Sequence, residues 1–222
     1  MPTIGFELRP PVKVEPRWPA VIAVLAVGGI YFAIPDYLSL GPRWLLLAVM
    51  IVLTIPLLAM HRAGLARQAM WLGMFSNLIL TVDLVWSVGL LVYALPAHKA
   101  SPAALLHGAA GLWISNILVF ALWYWRLDAG GPLLREQQDR HVTAAFLFPQ
   151  FVMEEEDRDE ANLDKWTPNF VDYLFIAFNT STAFSPTDTA PLTRWAKSLM
   201  MVQSLISLAI VVLLAARAVN IL

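Results

Sequence analysis

The sequence predicts an all-α protein, a polytopic membrane helix bundle with five transmembrane helices and one short helix that re-enters or spans. Three observations carry this reading. The 222 residues are 59% hydrophobic and only 14% charged, where soluble domains carry about 25% charged residues. Apolar runs recur at close to the about 20 residues that a helix needs to cross ~30 Å of hydrocarbon. Tryptophans 18, 44, 71, 123, 125 and 195 stand near the ends of those runs, where an interfacial belt belongs.

The first run, Trp18 to Ile34, follows a polar, Pro-rich tail, MPTIGFELRPPVKVEPRWP. This tail does not read as a signal peptide, because no small-residue cleavage site follows, and the run is expected to be a retained helix. Gly28, Gly29, Pro35 and Asp36 weaken its end. Trp44 to Met60 is the second run, and Pro56 predicts a kink in it. Trp71 to Leu95 and Ala103 to Trp125 are the third and fourth, and Trp195 to Val219 is the last. Residues 126–168 are polar and, at MEEEDRDEANLDKW, strongly acidic. They read as a solvated loop, with a cation site as the sharper alternative. HVTAAFLFPQF, residues 141–151, is apolar enough to lie on a membrane surface and too short to cross. The organisation is therefore a tail (1–17), a four-helix region (18–125), an acidic loop (126–168) and a C-terminal hairpin (169–222).

Lys and Arg alternate between the connections. Arg9, Lys13 and Arg17 precede the first run, and Arg43 alone follows it. Arg62 and Arg67 come next, then Lys99 alone, then Arg126, Arg135, Arg140, Arg158 and Lys165. The alternation places the N-terminus and the long loop in the cytoplasm. A net charge of -1 implies no nucleic-acid partner. The absence of cysteine excludes disulfides and thiolate metal sites. His61, His98, His107 and His141 lack metal-site spacing, and no catalytic triad, HExxH, phosphate loop or dinucleotide fingerprint occurs. An enzyme is not expected, nor a cofactor or metal, and His107 reads as a packing residue.

Asp83 falls in the middle of the third run. A carboxylate there costs about 2.5–3.5 kcal/mol on insertion scales, so it must face protein or water. Ser76 and Ser87 share its helix face. In a hairpin of the third and fourth helices, Ser115 and Asn116 lie as far beyond Lys99 as Asp83 lies before it. This predicts that Asn116 donates a hydrogen bond to Asp83. The pair reads either as interhelical glue or as an ion or proton site.

The segment FNTSTAFSPTDTAPLTRWAK, residues 178–197, follows the apolar YLFIAF and precedes the last run. Asn169 to Phe184 has the form of a short helix started by Thr167-Pro168. Ser185-Pro186 stops it by forcing extended backbone. Ser181-Thr182, then Asp188, then Pro191-x-Thr193-Arg194 and a long helix resemble the pore-helix, filter and inner-helix module of potassium channels. The filter run of that family is rich in glycine; the corresponding TAFSPTD contains none and carries a proline, which argues against a carbonyl-ring potassium filter. A locally hydrogen-bonded turn is the plainer reading of SPTD. Over its whole length the chain resembles uncharacterised bacterial multi-pass membrane proteins, through Asp172 to Phe175, Thr182 to Thr189 and Ala216 to Leu222. That resemblance implies a bacterial inner-membrane protein and assigns no active site.

Gln203, Ser204 and Ser207 form a polar face on the last helix, suited to close helix packing or to a polar lining that faces Asn179 and Thr182. The candidate polar path thus joins Asp83, Asn116 and Gln203 to Asn179, Thr180, Ser181 and Thr182, and then to Ser185 and Asp188. Along such a path the protein is expected to act as an ion-channel-like or small-solute transport protein. Its partners would be the lipid bilayer, further copies of the chain and a small ion. The alternative is a non-conducting scaffold or accessory subunit whose acidic loop docks a cytoplasmic partner.

Overall fold

A computed structural model describes residues 15–94, 102–137, 144–161, 163, 166–182 and 188–219. Helices dominate them: α1 Trp18–Ile30, α2 Arg43–Arg62, α3 Ala66–Ala94, α4 Pro102–Leu127, α5 Pro132–Gln137, α6 Glu155–Glu160, α7 Phe170–Thr182 and α8 Arg194–Val219. Two strands of two residues each, β1 Phe146–Leu147 and β2 Ala190–Pro191, pair antiparallel with Phe146 opposite Pro191. Among the described residues the fold is all-α apart from this short pairing.

Among the described residues, α2, α3, α4 and α8 are long and apolar enough to cross a membrane, which is compatible with a membrane location. α4 is the central helix, packed against α1, α3, α7 and α8. α2 and α8 instead turn large apolar side chains outward, among them Val52, Ile55, Leu205 and Leu208. α2 runs as one helix through Pro56.

The first expected span differs. α1 has 13 residues, about 20 Å of helix, and stops before Ile34. Gly28 and Gly29 weaken the helix, and Phe32 and Ala33 bond back to the Gly29 and Ile30 carbonyls in tighter three-residue turns. Pro35 then leads into a 3-10 turn, Asp36–Leu38. Ile34 and Leu38 are nonetheless fully buried. They fit because α4 carries glycine beneath them: a β-carbon at Gly108 would lie 2.7 Å from Leu38 Cδ1. The turn is tied to the start of α2 by the Asp36–Arg43 ion pair.

α1 and α2 also cross closely at a glycine. A β-carbon at Gly28 would stand 2.9 Å from the Leu47 Cα, whereas one at Gly29 would meet nothing within 4 Å. Gly28→Ala is therefore expected to lower stability by about 1–3 kcal/mol through overpacking. Gly29→Ala should be neutral or slightly stabilising. Thermal unfolding of the two variants in detergent checks the contrast.

The 141–151 segment is not a surface strip where it is described. Phe146 and Phe148 are buried. The Phe146 ring packs 5.2 Å from Tyr124, 6.3 Å from Tyr173 and 6.2 Å from Trp195, measured between centroids. Four elements thus meet at one aromatic plug: the end of α4, β1, the start of α7 and the start of α8. α7 and α8 consequently begin at the same end of the bundle. The chain enters along α7 and is back at that end by Ala190–Pro191, where it pairs with β1.

Candidate functional site: a buried polar core between α4, α7 and α8

α7 is set by its cap. Asn169 Oδ1 accepts from the Val171 amide at 2.8 Å, and Asp172 Oδ2 accepts from the Asn169 amide at 2.7 Å. This reciprocal pairing satisfies the first orphan donors of the helix. Thr193 Oγ1 does the same for α8, accepting from the Ala196 amide at 3.3 Å. From these fixed starts, Gln203 and Ser181 reach matching depth.

Gln203 is the hub and is fully buried. Its Nε2 donates to the Ala177 carbonyl and to Ser181 Oγ, each at 2.7 Å. Its Oε1 accepts from the Tyr124 hydroxyl at 2.5 Å. Asn116 Nδ2 donates to the Gln203 carbonyl at 3.2 Å and to Ser207 Oγ at 3.0 Å. Ser204 Oγ donates to the Thr180 carbonyl at 3.2 Å. Thr180 and Thr182 turn their hydroxyls back to the Ile176 and Asn179 carbonyls within α7. Two buried acceptors in this region, Asn116 Oδ1 and Ser115 Oγ, have no partner.

The structure thus brings together Asn116, Thr180, Ser181 and Gln203, with Thr182 at the end of α7 and Asn179 half-buried beside it. Asp188 is exposed, and Ser185 lies outside the described residues. Asp83 belongs elsewhere, and the expected Asn116–Asp83 bond is not made. Equal distance from the α3–α4 connection matches depth, but the side chains point to different neighbours: Asn116 faces α8, and Asp83 faces α1. Asp83 is 6% exposed and lies beside the Tyr31 hydroxyl and the Leu40 amide. The Tyr31 hydroxyl also donates to Ser87 Oγ at 3.2 Å, so the predicted Asp83–Ser87 face does form one polar group. Asp83 Oδ2 has no hydrogen-bond partner, and the side chain borders a cavity of about 280 Å³ walled by Leu40, Leu46, Val49 and Ile79.

Sequence reasoning missed Tyr124, which stands between two tryptophans read as interfacial, and a second buried polar cluster at the end of α4. There Asp128 accepts from the Ala145 amide and the Tyr173 hydroxyl. Glu15 accepts from Trp125 Nε1 and pairs with Arg135. Only the burial of these residues marks them, and their loop and tail positions concealed it.

No protein-family model, curated protein or solved structure matches the chain. The fold and the site alone define its class: a helical bundle with four span-length apolar helices, a half-length helix docked beside α8, and a buried amide hub joining them.

Proposed function

We propose that the protein is a multi-pass membrane protein, of ion-channel-like or small-solute transport type, whose α7–α8 hairpin re-enters the membrane. The observation that carries this reading is that α7 and α8 start at the same end of the bundle, on either side of Phe146. α7 is about 20 Å long, so its C-terminal end stops inside a ~30 Å hydrocarbon layer. The carbonyl-rich end of a helix favours a cation, and Thr180, Ser181 and Thr182 supply oxygens there. One hairpin forms one wall of a path, so several copies of the chain would close it. In this reading residues 18–38, α2, α3, α4 and α8 make the five crossings. The contact of Arg17 with His61, and the cavity shared by His61, Arg67 and Arg126, gather basic groups at one end. This supports a cytoplasmic N-terminus, and the bacterial resemblance implies an inner membrane.

A second reading, a non-conducting scaffold or accessory subunit, is favoured by the complete engagement of the Gln203 amide. A hub whose donors and acceptor are all taken locks helices together and does not line a wet path. The exposed acidic residues of α6 would then face a cytoplasmic partner.

The chain contains no native cysteine, so single replacements at Thr182 and Asp188 report cleanly on a membrane-impermeant thiol reagent. Both positions are expected to label from the side that bears Arg135, with Thr182 protected by a permeating cation. Cation flux into proteoliposomes should accompany the labelling. Labelling of Asp188 only from the opposite side would refute re-entry. A silent Thr182, with flux no greater than in protein-free vesicles, would leave the scaffold reading.

A further inference from the structure

A different part of the bundle carries an inference independent of the hairpin. Arg126, in the last turn of α4, is only 8% exposed. Its Nε is buried without a hydrogen-bond partner, and no described carboxylate forms an ion pair with it. Two buried acids at this end of α4 bond to other groups: Glu15 to Arg135 and Trp125, and Asp128 to Ala145 and Tyr173. The guanidinium lies against α3 at Gly73, where a β-carbon would stand 1.8 Å from Nη1. Its central carbon is 5.4 Å from the Trp125 ring centroid. An arginine stays charged under all ordinary conditions, and a buried charge without a counter-ion is strongly disfavoured. Among the described residues no carboxylate balances this charge.

Arg126 borders a cavity of about 280 Å³, with His61 from the end of α2 and Arg67 from the start of α3. The remaining wall is apolar, chiefly Met70, Leu133 and Leu134. The chain turns back to build this wall through Gly130 and Gly131, both left-handed, at φ of 79° and 91°. Basic groups on one side and aliphatic groups on the other select an anion attached to something apolar. A planar guanidinium fork fits phosphate oxygens in particular.

We propose that this cavity, at the end of the bundle where α2, α3, α4 and α5 meet, binds a phosphate group through Arg126 and Arg67. Its apolar walls favour the headgroup of an anionic lipid, and a free phosphate is the other source of the same chemistry. Basic pockets between helices at the cytoplasmic side of a membrane suit such headgroups.

The test uses the purified full-length chain in detergent, with its unfolding temperature followed during three titrations. The ligands are dioctanoyl phosphatidylglycerol, inorganic phosphate and dioctanoyl phosphatidylcholine. Phosphatidylglycerol is expected to raise the midpoint saturably, and phosphatidylcholine to have little effect. In Arg126→Gln the apparent affinity should fall at least about tenfold. Inorganic phosphate matching phosphatidylglycerol would support the phosphate site with a free ligand as its source; a much weaker inorganic phosphate would support the lipid. Should Arg126→Gln not fold, Arg67→Gln at the exposed rim carries the same comparison, with a several-fold loss expected. No saturable shift with either anion, equal shifts from both lipids, or undiminished affinity in the folded variants would each overturn the proposal. Any of these results would leave the α7–α8 reading untouched.

Discussion

Arg135→Ala should lower the stability of the protein by about 3–5 kcal/mol, the cost of removing one partner from a buried ion pair. Arg135 Nη2 stands 2.9 Å from Glu15 Oε2, and the two side chains are 5% and 8% exposed. Nη1 donates to the Trp125 carbonyl at 2.8 Å and to the Asp128 carbonyl at 2.9 Å. Trp125 lies in the last turn of α4 and Asp128 just beyond it, where helix carbonyls run out of intrahelical donors, so Arg135 acts as a C-terminal cap. Its guanidinium carbon also stands 5.1 Å from the Tyr173 ring centroid at the start of α7. The alanine variant takes the guanidinium from the Glu15 carboxylate, which keeps the Trp125 Nε1 donor, and takes this donor from both carbonyls. Arg135→Lys keeps the charge but loses the fork, so an intermediate loss is expected. Combining Arg135→Met with Glu15→Gln should recover part of the loss, because no charge is then stranded. Denaturant unfolding in detergent, at low and at about 1 M salt, checks this. A loss in the alanine variant below about 1 kcal/mol, or one abolished by salt, would show a pair that solvent reaches.

That cluster explains why the fold was more legible in the sequence than the site. The four long helices were found to within a few residues, because a span's apolar length is a local property of the chain. α8 was expected from Trp195 and begins at Arg194; α4 was expected from Ala103 and begins at Pro102. α7 was legible for the same reason, with Asn169 capping it directly after Thr167-Pro168. α1 was overestimated because the apolar run continues past Ile30 while the helix does not: hydrophobicity specifies burial, and glycine and proline specify the backbone. The site required azimuth as well as depth. The polar face of Gln203, Ser204 and Ser207 was visible, and it meets Ser181 and the Ala177 and Thr180 carbonyls, close to the expected Asn179 and Thr182. Asn116 was placed on the wrong neighbour, because spacing along a hairpin does not fix which third helix an amide turns toward. Glu15 and Asp128 sit in segments that read as tail and loop, where composition predicts solvent and tertiary packing instead supplies Trp125, Arg135 and Tyr173.

Replacing the hub tests whether α4, α7 and α8 depend on it. Gln203→Leu keeps the bulk and removes three hydrogen bonds, to Tyr124, Ser181 and the Ala177 carbonyl. Interhelical bonds of this kind in membrane bundles are worth roughly 0.6–1.7 kcal/mol each, so a loss of about 2–4 kcal/mol is expected. The Tyr124 hydroxyl would lose its Gln203 acceptor in a buried site and keep the Thr180 hydroxyl beside it, and a poorly paired buried hydroxyl costs more than none. Adding Tyr124→Phe to Gln203→Leu should therefore restore roughly 1 kcal/mol, whereas Tyr124→Phe alone should be destabilising. That reversal of sign is the signature of a direct bond and requires a double-mutant cycle, not a single variant. Ser181→Ala should cost less than Gln203→Leu, since Nε2 keeps the Ala177 carbonyl. The same variants bear on function. If Gln203 only locks α7 to α8, its loss should raise thiol labelling at Thr182→Cys without creating cation flux. If the end of α7 lines a conducting path that the Gln203 amide shapes, labelling and flux should change together.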